Sequence, residues 1–460
     1  MKLKALWLLV VILMVSIVAA QCAPATPEPA PPPTEAPKEE VAEPAEAPEE
    51  AAEPGETVKL VMWHQQNQVD AREAFQGLLD DFMAANPDVE IEQQIFNWVD
   101  VKPKVMAAIA AGTTPDMLQV LPDMLVPILD TGAVQPINDL IEEIDAEVKI
   151  FDNAKAQYTK DGQIYAVPAF GIAQMLYYRK SYFEEAGITQ GPSNWEELLA
   201  AAEKCHKPEE GRYGIGIPLA QTMYTDQVLW DFILTAGGDI YDENGNITFD
   251  SPEVIEALDM MKKLSKFSPP DSTNWVWEDA NNALYQGNIC MIFQFGHMSN
   301  EFALQNPDNA EDLLAVPVPK KRADGNIGMA NGFAIFTTDP VKREAVDRFW
   351  KFSMAAEQNA KWLGSMSPGT VFPMSEAASP LYLEQPGVQR FAYNIKPLLE
   401  VAAPTSAQYG FTHEYVPPSI GPIAAQNLMG AAVQKMILED VSPEDAAKWG
   451  QEQMEAVKVE

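Results

Sequence analysis

The chain is poor in the groups that most enzyme and metal chemistry needs. Only three cysteines and four histidines occur in 460 residues. His64, His206, His297 and His413 are far apart, with no HExxH or CxxC spacing, whereas a metal-capturing protein is expected to cluster its ligands. Neither a Gly-x-Gly-x-x-Gly nor a Walker loop nor a Gly-x-Ser-x-Gly is present, so the loops that cradle phosphates and the strained turn that exposes a serine nucleophile are missing. Basic residues are also scarce: 31 Lys and Arg face 67 Asp and Glu, for a formal charge of −36. So acidic a chain is a poor partner for nucleic acid or anionic lipid, which are bound through Lys and Arg. No second run of 18 apolar residues follows the first, so nothing beyond the N-terminus is long enough to span a bilayer.

That first run is the most informative segment present. Lys2 and Lys4 precede an unbroken apolar stretch from Ala5 to Ala20 that stops at Gln21-Cys22, the parts of a secretory signal. Its placement resembles the bacterial lipoprotein signal, although Gln21 stands where that signal prefers Gly, Ala or Ser. The resemblance implies a signal over residues 1–22, with the Cys22 thiol taking a lipid and anchoring the exported chain to the outer face of the cytoplasmic membrane. A plain secretory signal or an uncleaved anchor are the alternatives, and each still exports the rest. Residues 23–56 hold ten prolines and ten glutamates against one lysine, too little apolar surface to offset the entropy of ordering. The segment reads as a stiffened, self-repelling tether.

About four hundred residues remain, enough for two packed domains. Val58 to Trp63 alternates as an edge-to-core strand, Ala71 to Ala85 has helical periodicity, and Val89 to Phe96 alternates again, the βαβ order of a mostly parallel sheet. A helix from Val101 to Ala111 closed by Gly112 leads to a third strand, Asp116 to Val120. Ligands of such sheets bind beyond the carboxyl ends of the strands, here the loops after Trp63 and Val120. Further on, Ala166 to Pro168 and Met175 to Tyr178 read as strands, a helix starts after Ser193, another starts at Ser251-Pro252, and Glu344 to Leu363 forms one long amphipathic helix. Export would allow Cys205 and Cys290 to pair. Cys290 lies in an apolar strand-like run and Cys205 ends a helix, so they read as two unrelated buried or half-buried thiols.

The ordered series of motifs resembles the extracellular solute-binding proteins of ATP-driven importers, the group similar to maltose-binding protein. It includes Ala107 to Asp116, Gly132 to Ile137, Asp161 to Pro168, Leu176 to Lys180, Phe183 to Ile188, Gly237 to Asp239, Leu284 to Met291 and Asn331 to Ile335. Arg179 departs from the usual Asn, which would alter a turn or a cleft-edge contact, and Cys290 takes the place of an Ala. The resemblance implies an α/β, two-lobe periplasmic-binding-protein (type II) fold with an inter-lobe cleft. Its hinge would have three crossings, near Ala169 to Gln174, Asn326 to Gly332 and Pro368 to Met374. One lobe would comprise 57–170 and 333–370, the other 171–332 and 371–460. It further implies a monomer that binds a solute, needs no cofactor and hands its cargo to transmembrane permease subunits.

A neutral sugar offers hydroxyls and patches of C–H, so its site needs planar side chains beside amides and carboxylates. Trp63, His64, Gln65 and Gln66 follow the first strand, and Asp123 falls where the family commonly places a ligand-binding carboxylate. The second lobe would supply Tyr224, Gln227, Trp230, Trp275, Trp277, Phe295 and His297, and a crossing would supply Asn331 and Phe333. None is Arg or Lys, which disfavours an anionic cargo. The rival readings are the same fold carrying a polyol, phosphate ester, peptide or polyamine, and a secreted glycoside hydrolase with two carboxylates flanking a cleft.

Overall fold

The computed structural model describes residues 57–66, 69–413 and 416–458. The expected signal, the lipidated Cys22 and the tether lie outside the described residues. Leu60 and Met62 point into the core from β1 (Val58–His64). Phe75, Leu78, Leu79 and Phe82 cover the sheet from α1 (Val69–Ala85). Next, β2 (Val89–Ile95) runs parallel to β1, with Val58 opposite Val89 and His64 opposite Ile95. The following α2 (Trp98–Ala111) ends at Gly112, whose φ of 67° is a left-handed cap that glycine adopts without a Cβ penalty. On the other flank of β1 lies β3 (Met117–Val120), also parallel, so β1 has a partner on each side. Asp123 does not sit in an open loop: Pro122 opens α3 (Pro122–Leu129) and Asp123 occupies its first turn, because the fixed φ and missing N–H of proline suit a first helical position.

Downstream come β4 (Ala166–Arg179), α4 (Trp195–Cys205), α5 (Met223–Thr235), α6 (Trp277–Tyr285), β5 (Met291–Phe295), β6 (Leu313–Val316) and β7 (Asn326–Ile335). They are followed by α7 (Pro340–Met354), α8 (Ala356–Gly364), β8 (Ser406–Ala407) and α9 (Leu428–Leu438). The sheet is mixed rather than mostly parallel, since β7 runs antiparallel to both β3 and β4. The two strands expected around Ala166 and Met175 are one, buried along nearly its whole length. Its first half pairs with β7, Ala166 opposite Ala334 and Ala173 opposite Gly328. Its second half pairs with β5 and β6, Gln174 opposite Phe295 and Leu176 opposite Val316. The result is a two-lobe α/β fold in which β4 and β7 pass from one lobe to the other. The third crossing lies against them: Gly171 and Phe372 exchange N–H···O bonds of 2.8 and 3.1 Å. A Cβ on Gly171 would fall 2.1 Å from Met374 Sδ, so any larger residue would have to displace the Met374 and Phe372 side chains.

Several local readings change. The helix expected from Glu344 to Leu363 is two, α7 and α8, separated by Ala355 in an extended conformation. Asn194, not Ser193, caps α4 by accepting from Glu197 N, while Ser193 hydrogen-bonds the Glu197 carboxylate. Ser251 does cap the helix Pro252–Ser265, with Pro252 at its first position. Arg179 is a buried brace rather than a cleft-edge group: its Nε donates to Asp312 at 2.7 Å, and its guanidinium covers the Tyr182 and Phe302 rings. Cys205 and Cys290 come from separate segments but meet, with Cys290 Sγ 3.4 Å from the Cys205 carbonyl oxygen. Among the described residues no helix is long and apolar enough to cross a membrane.

Candidate functional site

The carboxyl ends of β1 and β3 carry an amide relay. Gln119 in β3 accepts from Gln65 N at 3.0 Å and from Gln66 Nε2 at 3.3 Å, and its own Nε2 donates to Asn331 Oδ1 at 3.1 Å. Expected site residues from the first strand end and from the β7 crossing are thus linked through Gln119. Gln65 is 2% exposed, yet among the described residues neither its side-chain oxygen nor its nitrogen has a partner. A buried amide left in this state is costly unless a further group satisfies it.

His64 is held beneath the relay. Its Nδ1 accepts from Gln66 N at 3.2 Å, which leaves Nε2–H to donate to Gln93 Oε1 at 2.8 Å. Burial lowers its pKa, so the ring is neutral at neutral pH. Trp63 is half-buried and meets Phe96 edge-on at 4.9 Å. Asp123 is reached by solvent, but protein surrounds it on enough sides that desolvation raises its carboxyl pKa, against its own backbone N–H and the charge of Lys102. Phe333 is fully buried in the first lobe, against Phe75 at 5.9 Å and Trp350 at 4.7 Å.

In the second lobe α5 presents Tyr224, Gln227 and Trp230. The Tyr224 hydroxyl donates to Phe293 O at 2.7 Å, and Trp230 Nε1 donates to Ala407 O at 2.8 Å. Trp230 is fully buried and meets the Tyr409 ring at 6.1 Å, nearly perpendicular. Gln227 is 4% exposed with its Oε1 unpartnered. At the start of α6, half-buried Trp277 touches Tyr224 at 6.3 Å and Phe295 at 6.4 Å, both edge to face. Its Nε1 is buried without a partner. Three expected aromatics therefore form one wall. Trp275 belongs elsewhere, packed over Gly216 at the lobe's interior. His297 is half-buried, with its pKa lowered by desolvation.

Sequence reasoning missed the segment that follows β8. Gln408 lies close to Asp123 of α3, and among the described residues its Oε1 has no partner. Tyr409 lies within electrostatic reach of both Asp123 and Asp226. Asp226 gives one oxygen to Gly430 N at 2.6 Å and keeps the other buried and unpartnered, and burial pushes its pKa well up. Gln119 and Gln174 were missed as well, the latter fully buried opposite Phe295 with both amide atoms unpartnered. A polar-aromatic dipeptide between proline-rich turns was the only trace of Gln408 and Tyr409.

Chemically, these residues offer both acceptors and donors: the Gln65, Gln174, Gln227 and Gln408 oxygens beside Gln65 Nε2, Gln174 Nε2 and Trp277 Nε1, with Asp226 Oδ2 donating when its carboxyl is protonated. Such a set suits hydroxyl groups, and the aromatic wall suits C–H faces. Among the described residues no group of three or more His, Cys, Asp or Glu is placed to hold a metal.

The model of the family described as bacterial extracellular solute-binding protein matches residues 66–366. A binding protein of Brucella abortus is 25% identical over 279 residues, 60% of this chain and 66% of that protein, so the match spans just under two thirds of that relative. The arabinooligosaccharide-binding protein of Halalkalibacterium halodurans is 25% identical over 265 residues, 55% of each chain. Among solved structures, the sugar-binding protein MalE of Xanthomonas citri superposes with a TM-score of 0.72 at 17% identity, covering 86% of this chain and 96% of that one.

Proposed function

The chain belongs to the bacterial extracellular solute-binding proteins, and on that premise we propose that it captures a neutral, hydroxyl-rich carbohydrate outside the cytoplasm and delivers it to the permease of an ATP-driven importer. The observations that carry this reading are the amide and carboxyl oxygens that are buried and unpartnered among the described residues, together with the Tyr224, Trp277 and Phe295 wall. Sugar hydroxyls satisfy such acceptors, and the ring's C–H face covers the aromatics. The arabinooligosaccharide specificity of one relative supports a carbohydrate in particular. The protein binds and releases its cargo unchanged. Incubation with oligosaccharides followed by product analysis is expected to show no hydrolysis, and cleavage products would make it a glycosidase instead.

Binding is expected to close the lobes, because a solute between them contacts both only in the closed form and so favours it. A thermal-shift screen over mono- and oligosaccharides should find a stabilising sugar. Small-angle scattering should then show a smaller radius of gyration at saturation. No stabilising sugar would reject the carbohydrate reading, and no compaction would reject the hinge.

Asp123 gives the binding a pH dependence. Its raised pKa means that it takes up a proton above the ordinary carboxylate value of about 4. As pH falls through that raised value the carboxylate loses acceptor capacity and affinity should drop. The unliganded fold responds oppositely: a carboxyl with a folded pKa above its unfolded one contributes stability at low pH that is lost as pH rises through the folded value. Titration calorimetry between about pH 4 and pH 7 should show the fall in affinity, and Asp123→Asn should flatten it. An equal slope in the variant removes Asp123 as the cause.

The N-terminus completes the reading, with Cys22 lipidated and residues 23–56 holding the body off the membrane. Cys22→Ser should release the protein into the soluble fraction with sugar affinity unchanged. A variant that still sediments with membranes would mark the apolar segment as an uncleaved anchor.

A further inference from the structure

Two thiols meet inside the second lobe. Cys205 is the last residue of α4, and Cys290 immediately precedes β5. They are 1% and 0% exposed. Cys290 Sγ donates to the Cys205 carbonyl oxygen at 3.4 Å, and both thiols are free. Each cysteine is held by contacts from outside the pair. Arg179 N donates to Cys290 O at 2.9 Å, Cys290 N donates to Tyr213 O at 3.0 Å, and Cys205 Sγ faces Tyr182 O at 3.9 Å. Arg212 stands beside them, bound bidentately to Glu185 at 2.7 and 3.0 Å.

We propose that Cys205 and Cys290 are a dithiol pair that is converted to a disulfide in the oxidising compartment to which the chain is exported, stapling the end of α4 to the head of β5. The premise needed is export alone; the identity of the cargo plays no part. Chance burial of two cysteines would not place them in mutual contact from segments separated by α5 and α6.

The electron balance is that of thiol–disulfide exchange with a small-molecule or protein disulfide as oxidant. One cysteine thiolate attacks one sulfur of the oxidant, forming a mixed disulfide and expelling the first thiolate. The other cysteine, giving up its proton, then attacks the protein sulfur of that mixed disulfide, and the second thiolate leaves. Two protein S–H groups are oxidised, one external disulfide is reduced to two thiols, and the two departing thiolates take up the two protons. Because both sulfurs are buried, the exchange belongs to folding, before the lobe closes over them.

The closed loop would contain all of α5 and α6, and with them Tyr224, Gln227, Trp230 and Trp277. Cross-linking so long a segment restricts the unfolded chain more than the native one. The full chain should therefore be unfolded under reducing conditions and refolded either with oxidised and reduced glutathione or with reductant only. Free thiols are then alkylated and peptides mapped by mass spectrometry. The expected result is one cross-linked peptide joining Cys205 to Cys290 after oxidative refolding, both alkylated after reductive refolding, and a melting temperature several degrees higher for the oxidised form. Cys205→Ser and Cys290→Ser should each melt at one temperature with or without reductant. Alkylation of both cysteines after oxidative refolding, a link through Cys22 instead, or a reductant-dependent shift that persists in the serine variants would overturn the proposal.

Discussion

Alanine in place of Trp230 is expected to destabilise the protein by about 3–5 kcal/mol, the usual cost of truncating a fully buried tryptophan, with a fall in melting temperature of roughly 10 °C for a lobe of this size. The indole is fully buried on α5 and donates to Ala407 O. Its loss removes both the packing volume and the bond that pins the segment carrying Gln408 and Tyr409. Sugar affinity should fall too, by displacement of that segment rather than by loss of a stacking surface. Trp230→Phe, which fills much of the volume without the donor, should recover most of the stability and less of the affinity. If Trp230→Ala keeps its melting temperature and loses only affinity, Trp230 is a ligand contact and not a brace.

Trp277→Ala should divide the two quantities the other way. The ring is half-buried, touches Tyr224 and Phe295, and leaves Nε1 unpartnered. Truncating an aromatic anchor of this kind typically costs about 2 kcal/mol or more of binding, roughly thirtyfold in affinity. The melting temperature should move much less than for Trp230. Trp277→Phe is expected to fall between, since the face remains and the donor goes. An unchanged dissociation constant in well-folded Trp277→Ala would take this residue out of the site.

The contrast between these two tryptophans shows what was legible in the sequence. Both stand near motifs, and composition alone could not say which one the fold consumes. That depends on Ala407, 177 residues away along the chain. The opening strands and helix were readable because their signals are local: alternation in Val58 to Trp63, the apolar face of α1, and glycine after Ala111. Family order then carried the two-lobe architecture. What escaped was decided at long range. Gln119 lies inside an apolar strand where nothing distinguishes it from a packing residue, until Gln65, Gln66 and Asn331 converge on it. Asp123 was recognised by position but placed in a loop, because the Pro122 signal at a first helical position was not used. The break at Ala355 has no proline or glycine to announce it. Cys205 and Cys290 looked unrelated because helix end and strand head are brought together only by the layering of the second lobe.

The pairing of Gly171 with both Ala330 and Phe372 bears on how the lobes can rotate. Crossings made of three separate flexible loops would let solvent reach each backbone whenever the molecule opened. Here the crossings form a hydrogen-bonded ribbon, so opening must be absorbed as a small change of twist spread over several residues, with the ladder intact. The amides of Gly171 and Phe372 should therefore exchange with deuterium slowly and at similar rates with and without sugar. The amides around Gln408 should slow markedly when ligand is added.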